Sequence, residues 1–488
     1  MKILFATPEC APHVKTGGLG DVSAALPPTL ARLGHDVRLL MPAYSGMKVA
    51  GDVLASVDIP AEGQWPAAQL LEIDPGNGVP LLLLACPSLY SRAGSPYVTP
   101  TGADHHDNAI RFGFLSHVAA RLGTARSPLP QWRADVVHAN DWPLGLAPLY
   151  LAQARLSEPA GSVAASVVTI HNLAFQGVFP IGVADALGVP WQWRGMDGVE
   201  FWGQLSMLKG GLQFADAITA VSPTYAREIQ TPAAGVGLDG VLRARAGRLT
   251  GILNGIDTAV WNPATDRLLP HTYSASSLEK KALDKAALQA RCGLKRRADA
   301  MLFGVVSRLT SQKGIDLVLE ALPALMADGG QLAVLGQGEP ALHDALAAAV
   351  ARYPGSVAVK IGFDEALAHL IEAGADCFLM PSRFEPCGLN QMYSQAYGTP
   401  PLVNATGGLV DSVTDSGASS TGTGFVMRSA DSEGFGEALR RARAAFAERR
   451  RWRGIQVQGM ARDFGWERSA AQYIEVYRQA AQLAGVAV

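Results

Sequence analysis

The sequence predicts an α/β protein of two doubly wound domains in tandem, and three observations carry that prediction. Short apolar runs alternate with longer amphipathic stretches through the whole chain, which is the pattern of parallel sheets with crossover helices. The alternation stops near residues 253–263 and then restarts. The chain has 488 residues, more than one hydrophobic core usually organises.

The first series places strands at residues 2–7, 36–41, 81–85, 135–138, 167–171 and 217–221. Between them, stretches such as 22–33 and 108–122 space their apolar residues at helical intervals. Residues 262–277 hold few apolar side chains and two prolines and read as a linker. The second series has strands at 301–306, 331–335, 357–361, 377–380 and 401–403. A last amphipathic stretch, 467–483, follows the completed second series and can pack on either domain. The division is therefore 1–255 and 256–465, each Rossmann-like, with a terminal helix in 466–488. Residues 416–424 are the single low-complexity piece and read as a flexible loop.

Composition narrows the function classes. Hydrophobic residues make up 48% and charged residues 17%, a soluble globular balance. A formal net charge of −2 gives no overall attraction to nucleic acid or anionic membranes. Five cysteines, an odd number in a long chain, do not make a disulfide framework and suit a reducing cytoplasm. Met1-Lys2 and the apolar residues after it mimic a signal peptide, but Pro8, Glu9 and Pro12 interrupt the run. No segment approaches the ~18 uninterrupted apolar residues that a membrane span needs.

Ligands of open α/β sheets bind beyond the carboxyl ends of the strands, so two such domains facing each other would form a deep interdomain cleft. Loops after strands therefore matter most. Lys15-Thr16-Gly17-Gly18-Leu19-Gly20-Asp21 follows the first strand and opens a helix. Its glycines admit close approach to a ligand, the helix start suits an anion, and Lys15 adds a positive charge. It is either a phosphate loop or a tight turn with an incidental lysine.

In the second domain, residues 307–314 follow the first strand and carry Arg308 and Lys313. A planar guanidinium and a point-charge ammonium five residues apart can clamp a diphosphate. Residues 382–391 follow another strand of that domain. Gly388-Leu389-Asn390 opens a helix, and Glu385 just before it could face a sugar beyond a bound phosphate and balance developing positive charge. Cys387 has no evident His or Asn partner and reads as a packed thiol.

His171-Asn172 ends a strand in the first domain near Gln176, which favours a polar pocket. Asp141-Trp142 sets a carboxylate beside an aromatic ring at another strand end, an arrangement that suits a sugar. Asp104-His105-His106-Asp107 could suggest a metal, but adjacent ligands diverge, and Asp107 is placed to cap a helix. The chain has no Asp-x-Asp to hold a divalent ion against a nucleotide diphosphate. Seven arginines between Arg440 and Arg453 read as a solvated helix face.

Together these segments resemble the starch/glycogen synthase family of glycosyltransferases in its bacterial, ADP-glucose-using form. The matching pieces are residues 15–21, 137–142, 169–177, 219–225, 253–257, 307–314, 382–389 and 406–409, in order along nearly the whole chain. The resemblance implies a GT-B fold, two Rossmann-like domains around a cleft, with the C-terminal helix packing back on the first domain. It also implies transfer of glucose from ADP-glucose to the non-reducing end of an α-1,4-glucan, with retention and with no metal or other cofactor. By the same resemblance, Arg308 and Lys313 neutralise the leaving diphosphate and Glu385 lies beside the transferring glucose. Asp141 and His171 hold that glucose. Lys15, Gly17, Gly18, Asp21, Asn172, Cys387, Gly388, Leu389, Asn390, Thr406 and Gly407 complete the donor pocket.

Four positions depart from the family pattern. Asn390 stands where threonine is usual, Ala405 where arginine is frequent, and Asn140 and Pro143 where histidine is common. Ala405 removes a possible cation near the nucleotide, which leaves UDP-glucose open as donor. A GT-B transferase with another acceptor, or a silent glucan-binding protein, are the competing readings. The sequence sets neither oligomeric state nor acceptor length.

Overall fold

The computed structural model describes the chain except for residues 130, 328 and 418–420. It divides into two compact units: residues 1–254 with 466–488, and residues 255–465.

In the first unit the strands are β1 (Lys2–Ala6), β2 (Asp36–Pro42), β3 (Asp52–Ile59), β4 (Ala68–Asp74), β5 (Leu81–Ala85), β6 (Val136–Asn140), β7 (Ala165–Ile170), β8 (Val178–Pro180), β9 (Glu200–Phe201), β10 (Gln204–Ser206), β11 (Ala217–Ala220) and β12 (Leu249–Gly251). Among the described residues nine of them form one sheet, in the order β12-β11-β7-β6-β1-β2-β5-β4-β3. Ile3, Leu4, Phe5 and Ala6 of β1 are fully buried, as a central parallel strand covered on both faces requires. Pairing is parallel from β12 to β5. The antiparallel edge β3–β4 and the small β8-β10-β9 sheet were absent from the sequence reading, because their short or half-polar runs give little periodic signal.

The terminal helix Trp466–Ala484 belongs to this unit. Its buried residues Trp466, Ala470, Tyr473, Tyr477 and Ala481 recur at helical spacing and join the cluster that holds Ile3, Phe5 and Val167. Tyr477 bonds His138 Nδ1 at 2.8 Å, and His138 Nε2 meets Thr169 Oγ1 at 2.5 Å. A polar thread thus anchors the helix to the sheet.

The second unit has β13 (Leu302–Val306), β14 (Gln331–Gly336), β15 (Val357–Ile361), β16 (Cys377–Met380), β17 (Pro401–Val403) and β18 (Phe425–Val426). They form an all-parallel sheet in the order β15-β14-β13-β16-β17-β18.

Three expectations need correction. The supposed linker is packed: Asp266 and Tyr273 are 4% and 2% exposed. Asp266 accepts bonds from the Tyr397 hydroxyl at 2.6 Å and from His369 at 2.7 Å, under an indole, Trp261, stacked on His369 and Tyr393. Asp107 stands at the start of helix Asn108–Arg121 but makes no capping bond, because Arg92 takes both its oxygens at 2.6 and 2.7 Å. The arginine run spans two helices, Ser432–Ala447 and Arg449–Met460, and Arg441 is not solvated: it pairs with Asp415 at 2.7 Å and Glu437 at 2.9 Å. Of the low-complexity stretch 416–424, residues 418–420 lie outside the described set, and Ser416 N donates to Gly424 O at 2.9 Å near its two ends.

Candidate active site

Sheet topology alone selects the loops. In the first unit the order reverses at β1, between β6 and β2; in the second it reverses at β13, between β14 and β16. At such switch points the loops splay apart and leave a crevice at the carboxyl ends of the strands.

In the second unit the loops after β13 and β16 are laced together. Gly314 has φ 71°, and a Cβ there would lie 2.3 Å from Pro381 O, so only glycine fits. Gln312 Nε2 donates to Phe384 O at 3.1 Å, and Arg383 N donates to Gln312 O at 2.9 Å. This apposition brings Lys313 Nζ to 2.5 Å from Glu385 Oε2, with the Ser382 hydroxyl donating to the same oxygen at 3.0 Å. The two side chains are only 15% and 8% exposed. Arg308 is exposed at the mouth of this loop, with its guanidinium 3.3 Å from Gln312 Oε1.

A third loop, after β17, completes the wall. Gly407 has φ 45°, and a Cβ on it would sit 2.0 Å from Glu385 O. Gly408 N donates to Pro386 O at 3.1 Å. Thr406 and Gly407 are therefore brought against the backbone of Glu385, Pro386 and Cys387, and the Cys387 side chain is buried and forms no disulfide. Gly388 has φ 71° and precedes helix Asn390–Ala396, whose N-cap Leu389 supplies no side-chain cap. Asn390 donates through Nδ2 to Val306 O at 2.5 Å and ties the helix start to the end of β13. Ala405 is exposed and adds no charge.

In the first unit the carboxyl end of β6 carries Asn140 and Asp141. Asp141 has φ 57° and ψ −172°, a region that non-glycine residues occupy only at a cost of about 1–3 kcal/mol. Its Oδ1 accepts His171 N at 2.8 Å and, more weakly, Asn172 N at 3.4 Å, locking the end of β7 to the end of β6. Burial pushes its carboxyl up to about 7, against those two amide bonds. Burial also pushes His171 down to about 3, so the ring is neutral at physiological pH.

The tautomer of His171 follows from Asn140. Asn140 Nδ2 donates to Ala6 O at 2.9 Å, which turns Oδ1 toward His171 Nε2, 2.9 Å away. An amide oxygen can only accept, so Nε2 carries the proton and Nδ1 is left as an acceptor. Trp142 packs so tightly on Gly177, φ 59°, that a Cβ there would lie 2.4 Å from the indole. Pro143 O accepts from the Ser116 hydroxyl at 3.1 Å.

Glu9 is the residue that the sequence reading missed. It lies three residues beyond β1 at the switch point and is 3% exposed. Its carboxylate accepts Thr16 N at 2.5 Å, Gly17 N at 3.3 Å, the Thr16 hydroxyl at 2.9 Å and the Tyr97 hydroxyl at 2.9 Å. The signal was available: a lone carboxylate just past a central strand. Lys15 pairs with Asp21 at 2.7 Å on the rim, with side chains 45% and 30% exposed. The amides of Thr16 and Gly17 already face an anion of the protein's own, so they are not an open phosphate cradle.

Among the described residues, no three His, Cys, Asp or Glu side chains are grouped to hold a metal ion. No helix among them is long and apolar enough to cross a membrane.

Comparison with known proteins fits this geometry. Residues 2–244 match the model of the starch synthase catalytic domain, and residues 291–453 match that of group 1 glycosyl transferases. A glycogen synthase of Paracidovorax citrulli is 62% identical over 98% of this chain and 94% of its own length. The chain belongs to the bacterial glycogen synthase family. Another family member, from Aromatoleum aromaticum, is 55% identical over 98% of this chain and 96% of its own. The catalytic domain of starch synthase IV from Arabidopsis thaliana, solved with ADP and acarbose, superposes with a TM-score of 0.87 at 31% identity over 99% of each chain. A sucrose-phosphate synthase from Thermosynechococcus elongatus shares the fold at a TM-score of 0.60 and 19% identity, with 98% of each chain covered. Two doubly wound units with these likenesses make the fold GT-B.

Proposed function

We propose that the chain synthesises glycogen, transferring glucose with retention from ADP-glucose to the non-reducing 4-hydroxyl of an α-1,4-glucan. The observation that carries this reading is the Lys313–Glu385 pair, 2.5 Å apart at the switch point of the second unit. The family supplies the reaction class, and the pair supplies its electrostatics.

The difficult step is breaking the bond between the anomeric carbon and the phosphate oxygen. Negative charge grows on the departing diphosphate and positive charge on the sugar, so fixed charges aimed at both lower the barrier. In this reading Arg308 and Lys313 take the diphosphate. Glu385, held in place by Ser382 and Lys313, faces the cationic sugar; with two donors on one oxygen it suits an electrostatic role better than that of a free nucleophile. The acceptor 4-hydroxyl attacks from the face the phosphate leaves, forming the new C1–O4 bond, and its proton passes to the departing phosphate oxygen. His171 Nδ1 accepts a sugar hydroxyl, and Asp141 fixes the backbone that presents it. Asn172 and the loop of Lys15, Gly17, Gly18 and Asp21 add contacts to the donor.

Positive charge comes from Arg308 and Lys313, and we assign the reaction no metal; chelator-treated enzyme should keep its rate. Among the described residues, which include all five cysteines, no disulfide forms, and this supports a cytoplasmic location. Labelled ADP-glucose or UDP-glucose with glycogen tests the function. ADP-glucose should give labelled polymer at the higher rate, and no incorporation from either donor would overturn the proposal.

A further inference from the structure

Among the described residues three non-glycine positions have positive φ: Asp141 at 57°, Trp202 at 52° and Val236 at 47°. Asp141 belongs to the site. The other two lie outside it, and a β-branched residue in that region is a true outlier. They are neighbours. A Cβ on Gly237 would lie 3.3 Å from Trp202 Nε1 and 3.1 Å from Phe201 Cζ, so Val236-Gly237 runs directly beside the Trp202 turn.

The surrounding structure holds both residues outward. Gly203 N donates to Glu200 Oε1 at 2.7 Å across the turn that carries Trp202. Gln176 Nε2 donates to Val236 O at 2.9 Å. The result is apolar surface facing solvent: Trp202 is 80% exposed, Phe175 56% and Val236 49%. This surface is continuous with the site. Phe175, Gln176 and Gly177 belong to the loop that leaves His171, and Gly177 is the residue on which Trp142 packs.

We propose that Trp202, with Val236 and Phe175, is a platform for the α-glucan acceptor, gripping the chain beyond its reacting end by stacking on the apolar faces of its glucose rings. The proposal rests on the glycogen-synthase reading and adds the place where the first unit holds the polymer. Exposed aromatic rings rimmed by polar residues mark binding surfaces. Three side chains offer on the order of a few hundred Å², well short of the ~800 Å² per partner of a stable protein interface. A repeating sugar chain needs only such small, repeated contacts.

The test uses full-length enzyme in two assays, electrophoresis through gels containing glycogen and initial rates on glycogen and on maltotriose. Trp202→Asn keeps a residue that tolerates positive φ and removes the ring. It should weaken glycogen retardation at least fivefold and raise KM for glycogen by a similar factor. It should also lower the ratio of kcat/KM on glycogen to that on maltotriose. Trp202→Phe should restore most of the binding, and Phe175→Ser should weaken it independently. Leu156→Ser, an exposed apolar residue elsewhere, should move none of these. Retardation and KM for Trp202→Asn and Phe175→Ser within 1.5-fold of wild type would overturn the platform while leaving the synthase reading intact. Absence of labelled polymer from the wild type would overturn the synthase reading and the platform with it.

Discussion

Asp141 is held in two costly states at once, and replacing it with asparagine separates them. Asparagine keeps the shape and can still accept the amides of His171 and Asn172, so the backbone at φ 57° and ψ −172° is conserved and its strain cancels in the comparison. Only the ionisation goes. Burial raises the folded carboxyl from 3.8 to about 7. The stability associated with the neutral form is therefore complete below about pH 4 and is lost as pH rises through 7. At 1.36 kcal/mol per unit, wild type should lose about 2–3 kcal/mol relative to Asp141→Asn between pH 5 and pH 8. Urea unfolding of both proteins at the two pH values measures this, and other titrating groups cancel in the difference. The variant should be the more stable protein at pH 8, where the wild-type carboxyl is ionised in its buried site and the amide is neutral. A stability difference that stays flat within about 0.5 kcal/mol from pH 5 to pH 8 would refute the buried-carboxyl reasoning.

Three further outcomes follow from the same geometry. Asn140→Asp replaces the amide that bonds His171 Nε2 with a carboxylate that favours the imidazolium, so the pH–rate profile should gain an acid limb that wild type, with His171 near 3, lacks above pH 5; superposable profiles would remove Asn140 from the positioning role. Glu9→Ala leaves the amides of Thr16 and Gly17 and the Tyr97 hydroxyl without their acceptor, and should cost about 2–4 kcal/mol in denaturant titration, while Glu9→Gln should recover part of that. Gly314→Ala sets a methyl group 2.3 Å from Pro381 O at φ 71°, and should both destabilise the second unit by at least ~2 kcal/mol and cut turnover by separating Lys313 from Glu385; an unaltered melting curve would contradict the loop apposition.

The central parallel strands were legible because they are buried on both faces: Ile3 to Ala6 and Phe303 to Val305 read as continuous apolar runs. The site residues after β13 and β16 were legible for a related reason, since strand ends position ligands and charged residues there stand out from their surroundings. What periodicity could not reveal came from long-range pairing. Nothing local announces that residues 262–277 pack under Trp261, or that Asp107 gives its oxygens to Arg92 instead of a helix end. Glu9 was overlooked because its role depends on Thr16, Gly17 and Tyr97 converging on it. For Lys15–Asp21 the glycines, the helix start and Lys15 leave a phosphate loop and a tight turn both open, and only the fold shows Glu9 answering the amides of Thr16 and Gly17.

The role of the Lys313–Glu385 pair is tested most directly by the turnover of Lys313→Ala and Glu385→Ala, measured as label transferred from ADP-glucose to glycogen at saturating donor. Each substitution should lower kcat by at least ~100-fold, as expected when transition-state charge loses its partner, with folding confirmed by an unchanged far-ultraviolet spectrum. Turnover within a few-fold of wild type in either variant would contradict the claim that this pair drives glucosyl transfer.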